Sequence, residues 1–294
     1  MQSQGLTEVA FQNALAYAKD RIQMCSLAGP KNPDKPADSI LVHPDVRKML
    51  LTAKAYAEGG RVLSLYCALL IDKELNHPDE AVRKECAEMV ALLTPIVKAF
   101  ITDNGWISTS HCMQVFGGHG YIAEWGMEQF VRDARINMIY EGTNTIQSLD
   151  LLGRKVLGNQ GATLKKLGAI MEEFAESCEN DEAMQEFIGP MLKAAELWST
   201  LTFEIGSQAM KNPEGVGAAA VDYMRVAGHT VFAFWFAKMA KIALAKKDSG
   251  DPFYAAKLQT ARFYFAKLLP EIESCAITAR AGLKPLMETE LALA

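Results

Sequence analysis

The stretch Met89-Val-Ala-Leu-Leu-Thr-Pro-Ile-Val-Lys-Ala-Phe100 decides the fold class, because its apolar residues recur every three or four positions. Met89, Leu93, Ile96 and Phe100 fall on one face of a helix with about 3.6 residues per turn. Most of the chain repeats this spacing, whereas runs of β-branched residues in strict alternation are absent. The pattern predicts an all-α protein and argues against a β-sandwich or a doubly wound sheet.

Glycine and proline mark the breaks between the predicted helices. We predict helices at about residues 5–22, 44–75, 79–115, 126–138, 144–157, 162–178, 182–210, 215–246 and 253–282. Pro95 predicts a kink in the third helix, and the three prolines Pro30, Pro33 and Pro36 predict a loop over residues 29–43. The string Gly158-Asn-Gln-Gly161 predicts a link between a first domain, 1–157, and a second domain, 162–294.

Composition excludes several classes of protein. The 294 residues include 50% hydrophobic residues, enough for a substantial core. The 30 basic and 35 acidic residues are dispersed and give a formal charge of −5, so nucleic acid is not an expected partner. The most apolar stretch, residues 226–237, is shorter than the roughly twenty residues that span a membrane, and it predicts a buried helix instead.

Cysteine and histidine usage limits the chemistry further. The six cysteines are scattered and form no Cys-x-x-Cys pair, which is typical of a reducing compartment. Residues 1–7 lack the charged and apolar regions of a signal peptide, so we expect a cytoplasmic protein. The five histidines lack the spacing of metal ligands, and we expect no metal site.

Two non-helical segments interrupt the first predicted domain. They are Gln114-Val-Phe-Gly-Gly-His-Gly-Tyr121 and Tyr140-Glu-Gly-Thr-Asn-Thr-Ile-Gln147. The glycines of the first segment allow positive φ angles and a close backbone approach, which suits a loop lying against a cofactor. The alternative is a helix stop followed by an ordinary turn.

Glu141 is the candidate catalytic residue of the second segment. It follows an apolar helix, Gly142 breaks that helix, and Thr143 is a good N-cap for the next one. Against an apolar wall a carboxylate loses hydration, so its pKa rises toward the range of a general base. The alternative is a solvated glutamate in a turn.

Three linked motifs resemble the acyl-CoA dehydrogenases. They are the segment from Gln114 to Tyr121, Phe130-Val-Arg-Asp-Ala-Arg135, and Ile139-Tyr-Glu-Gly-Thr-Asn-Thr-Ile-Gln147, in that order. The segments Tyr17-Ala-Lys-Asp-Arg-Ile-Gln23 and His43-Pro-Asp-Val-Arg-Lys-Met-Leu50 resemble a branch with an extra helical C-terminal domain, which includes 3-methylmercaptopropionyl-CoA dehydrogenase-like enzymes. The resemblance implies a four-helix-bundle-type domain followed by a second helical bundle.

The resemblance also implies roles for individual residues. Glu141 matches the base that takes the α-proton of an acyl-CoA thioester, and Gly142 matches the residue beside the acyl chain. FAD is the implied cofactor, and the residues that match its contacts are Arg21, Gln23, Gln114, Val115, Phe116, Gly117, Gly118, Thr143, Asn144 and Thr145. Cys25 departs from the pattern, because this branch carries arginine there.

The expected assembly follows from the same resemblance. A flavin shared between subunits implies a homo-oligomer, and electron-transfer flavoprotein is the implied electron acceptor. In the family a helical domain and a small β-domain precede this region, so we expect the chain to act with an N-terminal half. The expected reaction is FAD-dependent α,β-dehydrogenation of an acyl-CoA to a trans-2-enoyl-CoA. The alternative is a non-catalytic helical assembly module or an inactive truncated fragment of such an enzyme.

Overall fold

The computed structural model describes residues 1–290, which fold almost entirely into helices. The α-helices are α1 (Gln2–Asp20), α2 (Pro44–Asn76), α3 (Glu80–Val115), α4 (Gly118–Tyr121), α5 (Met127–Ile136), α6 (Asn144–Leu149), α7 (Ala162–Glu176), α8 (Gln185–Ala209), α9 (Glu214–Ala245), α10 (Pro252–Phe263), α11 (Glu271–Arg280) and α12 (Lys284–Met287). No β-strand occurs among these residues, although Ile22 and Ser39 form an isolated antiparallel bridge. The predicted all-α class is confirmed.

Most helix bounds lie close to the predicted ones, and three regions differ. Residues 118–121, which were predicted to be non-helical, form the short helix α4. The predicted helix 144–157 is a short α6 followed by a π-helical segment, Asp150–Val156. The predicted helix 253–282 is divided into α10, a π-helical turn at Tyr264–Leu268, and α11. Pro270, which has no N–H to continue a helix, is the N-cap of α11. The helix α3 continues through Pro95 without a break.

The chain divides into two compact units. The first unit contains Met1–Arg61 and Ile101–Glu141, and the second contains Val62–Phe100 and Gly142–Ala294. The bounds of these two spatial units differ from those of the domains predicted from the sequence, 1–157 and 162–294. The two domains remain a prediction. Residues 291–294, the end of the predicted second domain, lie outside the described residues.

The core of the first unit is built on one face of α1. Ala10, Ala14 and Ala18 are fully buried and Phe11 is 8% exposed, so small residues let neighbouring helices approach closely. They share an apolar cluster with residues of α2, α3 and α5, including Leu50, Ala53, Cys112, Val115 and Met127. Burying one large apolar side chain in such a cluster stabilises the fold by about 1.5–3 kcal/mol.

The second unit is organised around α9. This helix is buried around much of its circumference and packs against α8, α10 and α11. It contains residues 226–237, all of which are buried except the partly buried Trp235, as expected for that apolar stretch. Within residues 1–290, no helix is both long enough and apolar enough to cross a membrane.

A charged network joins α9 to α11 in this unit. Arg225 donates to Glu271 Oε1 over 2.7 Å, and Nε2 of the fully buried His229 lies 3.4 Å from Glu271 Oε2. The Tyr264 hydroxyl donates to the His229 carbonyl over 3.0 Å, and its oxygen lies 2.9 Å from His229 Nδ1. Burial alone would raise the pKa of Glu271, but its hydrogen bond with His229 and the Arg225 charge outweigh burial and lower the pKa to about 2. Burial also lowers the pKa of His229, which favours neutral imidazole.

Candidate functional site

The segment after α5 bends at Glu141 and Gly142. The Tyr140 hydroxyl donates to Asn137 Oδ1 over 2.7 Å just before this point. Glu141 and Gly142 then take φ angles of 53° and 86°. A left-handed conformation costs a non-glycine residue about 1–2 kcal/mol, so the candidate base lies on strained backbone. At Gly142 a Cβ atom would also lie 3.0 Å from Gln147 Nε2, so this position favours glycine.

The Glu141 side chain is exposed. It forms no hydrogen bond or ion pair with any of residues 1–290. Its neighbours Ile139 and Tyr140 are 46% and 36% exposed, so apolar surface accompanies the carboxylate. The described residues do not form the apolar wall predicted around Glu141, and such a wall would have to come from another domain or chain.

At the start of α6, one polar side chain forms hydrogen bonds within the described part of the chain and two do not. Thr143 is the N-cap, as predicted, but its side chain makes no capping hydrogen bond. The Asn144 side chain accepts from Lys98 Nζ over 2.7 Å and donates to the Ala99 carbonyl over 3.2 Å. Thr143 and Thr145 are exposed and make no hydrogen bond through their hydroxyls within residues 1–290. Asn144 therefore anchors the start of α6, and the two threonine hydroxyls remain available to a ligand.

Most of the predicted cofactor residues line one cleft of about 480 Å³ in the first unit. The predicted residues in its lining are Arg21, Gln23, Gln114, Val115, Phe116, Gly117 and Gly118. The other lining residues were not predicted to contact the cofactor. They are Tyr17, Met24, Ile40, His43, Val46 and His119. Residues 141–145 are not part of the cleft.

One wall of the cleft begins where α1 ends. Arg21 caps α1 in an extended conformation, and its N–H donates to the Tyr17 carbonyl over 2.8 Å. The Ile40 N–H donates to the Arg21 carbonyl over 2.9 Å, and the Gln23 N–H donates to the Asp38 carbonyl over 3.0 Å. These backbone bonds hold the exposed Arg21 and Gln23 side chains on an ordered edge.

The other wall is the connection between α3 and α4. Phe116 is 7% exposed and anchors this connection in the core, whereas Gly117 and Gly118 are exposed. Gly117 has φ 59° and ψ −139°, a conformation that residues with a Cβ rarely adopt. The glycine pair therefore presents bare backbone to the cleft, as a closely approaching ligand requires.

A buried carboxylate organises the loop beside Gln23. Asp38 is 1% exposed and accepts backbone hydrogen bonds from Ser26, Lys31 and Asn32 at 2.8–3.0 Å. The hydrogen bonds from Ser26 and Lys31 lower the pKa of Asp38 and outweigh the opposing effect of burial. The proline-rich segment is therefore an ordered loop. Cys25, where the resembling branch has arginine, is a partly exposed free thiol outside the cleft lining.

The functional groups of the cleft suit an anionic, phosphate-bearing ligand. They include the Arg21 guanidinium, the amides of Gln23 and Gln114, and the backbone of the glycine pair. Tyr17 could have been anticipated, because it lies four residues before Arg21 and so on the same face of α1. Among residues 1–290, no group of three His, Cys, Asp or Glu side chains could hold a metal ion.

Two family models match the chain. "Acyl-CoA dehydrogenase, C-terminal domain" matches residues 1–157, and "Acetyl-CoA dehydrogenase C-terminal like" matches residues 167–290. The first match covers both predicted site segments and more than half of the chain.

Curated relatives include a 3-methylmercaptopropionyl-CoA dehydrogenase of Ruegeria pomeroyi, 34% identical over 274 residues, 92% of this chain and 46% of the relative. The broad-specificity linear acyl-CoA dehydrogenase FadE5 of Mycobacterium tuberculosis is 30% identical over 276 residues, 90% of this chain and 45% of the relative. The chain thus spans about half the length of these relatives.

Solved structures share the fold at low sequence identity. An acyl-CoA dehydrogenase of Bacillus anthracis complexed with FAD matches with a TM-score of 0.73 and 19% identity over 94% of this chain and 46% of that chain. ACDH-11 of Caenorhabditis elegans in complex with C11-CoA matches with a TM-score of 0.72 and 18% identity over 99% of this chain and 46% of that chain. With the match of residues 1–157 to the family model, the chain belongs to the acyl-CoA dehydrogenase family.

Proposed function

We propose that this chain is the C-terminal catalytic portion of an FAD-dependent acyl-CoA dehydrogenase and that Glu141 is its base. The observation that carries the proposal is the cleft in which Arg21, Gln23 and residues 114–118 come together from separate parts of the sequence. The relatives are named as acyl-CoA dehydrogenases, and the two neighbouring structures contain FAD and C11-CoA, which supports this cofactor and substrate class.

The cleft has the chemistry to hold the phosphate-bearing part of FAD. Arg21 would pair with a phosphate, Gln23 and Gln114 would hydrogen bond to it, and Gly117 and Gly118 would let it approach the backbone. The exposed hydroxyls of Thr143 and Thr145 would contact the cofactor from the start of α6. When bound, the flavin supplies the acceptor for the hydride that leaves the β-carbon of the substrate.

Glu141 would remove the α-proton of the acyl thioester. This proton is weakly acidic, so negative charge that builds on the thioester oxygen must be stabilised, and the Glu141 backbone N–H is the proposed donor. Gly142, which follows with a positive φ, would leave room for the acyl chain. The proposed product is a trans-2-enoyl-CoA.

The exposure of Glu141 supports the proposal that this chain needs a partner to complete its active site. Because the described residues leave this carboxylate exposed, we propose that an N-terminal half encloses it together with the acyl chain. A homo-oligomer would place the cleft of one subunit against a cofactor shared with the next. Electron-transfer flavoprotein is the proposed acceptor, and the free cysteines are consistent with the proposed cytoplasmic location.

The same exposure favours one alternative, a helical assembly module that does not turn over substrate. To separate the two, the chain is purified alone and after co-expression with the N-terminal half of the R. pomeroyi relative. Gel filtration reports assembly, and the absorbance spectrum reports flavin. The enzymatic proposal predicts a yellow complex whose flavin absorbance bleaches when acyl-CoA is added. A complex that assembles without flavin, or keeps flavin without bleaching with several acyl-CoA chain lengths, would support the assembly module.

A further inference from the structure

We propose that Tyr17 is a positioning residue that fixes the glycine pair of the cofactor cleft. Tyr17 lies on α1, one turn before Arg21, and its side chain reaches the opposite wall. Its ring stacks on Phe116 with a centroid distance of 4.1 Å, and its hydroxyl lies 2.9 Å from His119 Nδ1. Tyr17 therefore holds the residues on both sides of Gly117 and Gly118. The inference rests on the proposed cofactor role of the cleft.

The glycine pair has little else to restrain it. A Cβ atom at Gly117 or Gly118 would meet no atom within 4 Å, so neither residue is packed against a neighbour. Gly117 N–H donates to the Gln114 carbonyl over 2.9 Å, the Gly117 carbonyl accepts from the Gly120 N–H over 3.0 Å, and Gly118 begins the four-residue helix α4. These backbone restraints are all local. Glycine loses more conformational entropy than other residues when its backbone is fixed. Side chains that flank the pair must therefore supply much of its order.

Trp125 completes the arrangement around Tyr17. It stacks on His119 with a centroid distance of 4.9 Å and an interplanar angle of 7°. It also packs edge-on against Tyr17 and Phe116, with centroids 5.5 and 5.7 Å away. His119 is thus held between the Trp125 ring and the Tyr17 hydroxyl. Because Tyr17 belongs to α1 and His119 follows Gly118, these contacts fix the glycine pair relative to α1.

The consequence is a cleft ordered before its ligand binds. Arg21 is connected to Tyr17 through the 2.8 Å backbone bond at the end of α1, and the glycine pair is connected to it through Phe116 and His119. Tyr17 thereby sets the separation between the cationic wall and the bare backbone wall. A ligand that bridges the two walls gains affinity from this preorganisation, because less ordering is left to binding.

The test compares Tyr17→Phe, which keeps the ring stack and removes the hydroxyl, with Tyr121→Phe. Tyr121 is 77% exposed and serves as the matched control. In the chain without flavin, hydrogen exchange over residues 114–119 should be faster in Tyr17→Phe than in the wild type or the control. In the assembled enzyme, the dissociation constant for FAD should rise about three- to ten-fold, as expected for one lost hydrogen bond.

Two further measurements distinguish positioning from general damage. FMN lacks the second phosphate and the adenosine, so its affinity should change little if Tyr17 acts on the phosphate-binding part of the cleft. His119→Phe should weaken FAD binding to a similar extent, and the double variant should be no weaker than either single variant. Equal losses for FAD and FMN, additive losses, or unchanged exchange and affinity in Tyr17→Phe would each overturn the inference. A wild-type enzyme that binds no FAD would instead overturn the proposed function, and the inference with it.

Discussion

Met24 lies on the edge of the proposed cofactor cleft in a conformation that disfavours its side chain. Its φ angle is 59°, and its side chain is 69% exposed, so packing does little to offset the strain. A left-handed conformation costs a residue with a Cβ about 1–2 kcal/mol, and glycine removes this cost. Part of the gain is lost, because glycine also raises the conformational entropy of the unfolded chain. We predict that Met24→Gly raises the free energy of unfolding by about 0.5–1 kcal/mol in urea denaturation.

The control for this substitution is Met210→Gly. Met210 is 89% exposed but has φ −62° at the C-cap of α8, so glycine relieves no strain there. Met210→Gly should leave stability unchanged or lower it. If both glycine variants shift stability in the same direction and by the same amount, backbone strain at Met24 is not the cause.

Asp38 predicts a pH dependence of the loop beside the cleft. Hydrogen bonds from Ser26 and Lys31 lower the pKa of Asp38 in the folded chain. The unfolded state therefore takes up the proton first as pH falls. The stabilisation is complete above the ordinary aspartate pKa of about 3.9 and is lost as pH falls from there through the folded pKa.

We predict that Asp38→Asn lowers the thermal unfolding midpoint at pH 7 and that the difference from wild type shrinks below about pH 4. Asp34→Asn, on the same loop and exposed, should be neutral at both pH values. A difference for Asp38→Asn that is as large at pH 3 as at pH 7 would contradict the role of the ionised carboxylate.

At the scale of elements, α9 depends on a close approach to α3. A Cβ atom at Gly228 would lie 2.3 Å from Cγ and Cδ2 of the Phe100 ring. Ala favours a helix over Gly by about 1 kcal/mol, but overpacking of this size costs about 1–3 kcal/mol or more. We predict that Gly228→Ala lowers the free energy of unfolding by about 1–2 kcal/mol.

Gly217→Ala is the control on the same helix. Gly217 is exposed, and an added Cβ atom would meet no atom within 4 Å. This variant should therefore gain up to about 1 kcal/mol from helix propensity. Equal stabilities of the two alanine variants in urea denaturation would show that Phe100 and α9 adjust to the extra methyl group.

Helical periodicity predicted the elements well and their irregularities poorly. The α2 and α3 bounds lie within one residue of the predicted 44–75 and 79–115, because their apolar faces are long and regular. The π-helical segments at Asp150–Val156 and Tyr264–Leu268 were missed, since one extra residue in a turn hardly alters the pattern. The loop before Ser39 was predicted from its prolines, but its organisation around Asp38 was not, because that depends on how the loop backbone folds around one carboxylate.

At the scale of the whole molecule, the sequence named residues that the structure places together, but it did not predict their surroundings. The resemblance named Arg21, Gln23 and residues 114–118, and the structure brings them to one cleft. The engagement of Asn144 by Lys98 was not predictable from local sequence, because the two residues are 46 positions apart. The chain spans about half the length of its curated relatives.

The most direct test of the account is flavin reduction by Glu141→Gln in the enzyme assembled with its N-terminal half. The amide keeps the size of the side chain and the backbone N–H but cannot accept the α-proton. We predict that this variant retains its flavin and that acyl-CoA bleaches the flavin at least about 1,000-fold more slowly than in the wild type. In the control Glu128→Gln, on α5, the flavin should bleach at the wild-type rate. Bleaching at the wild-type rate in Glu141→Gln would contradict the assignment of Glu141 as the base.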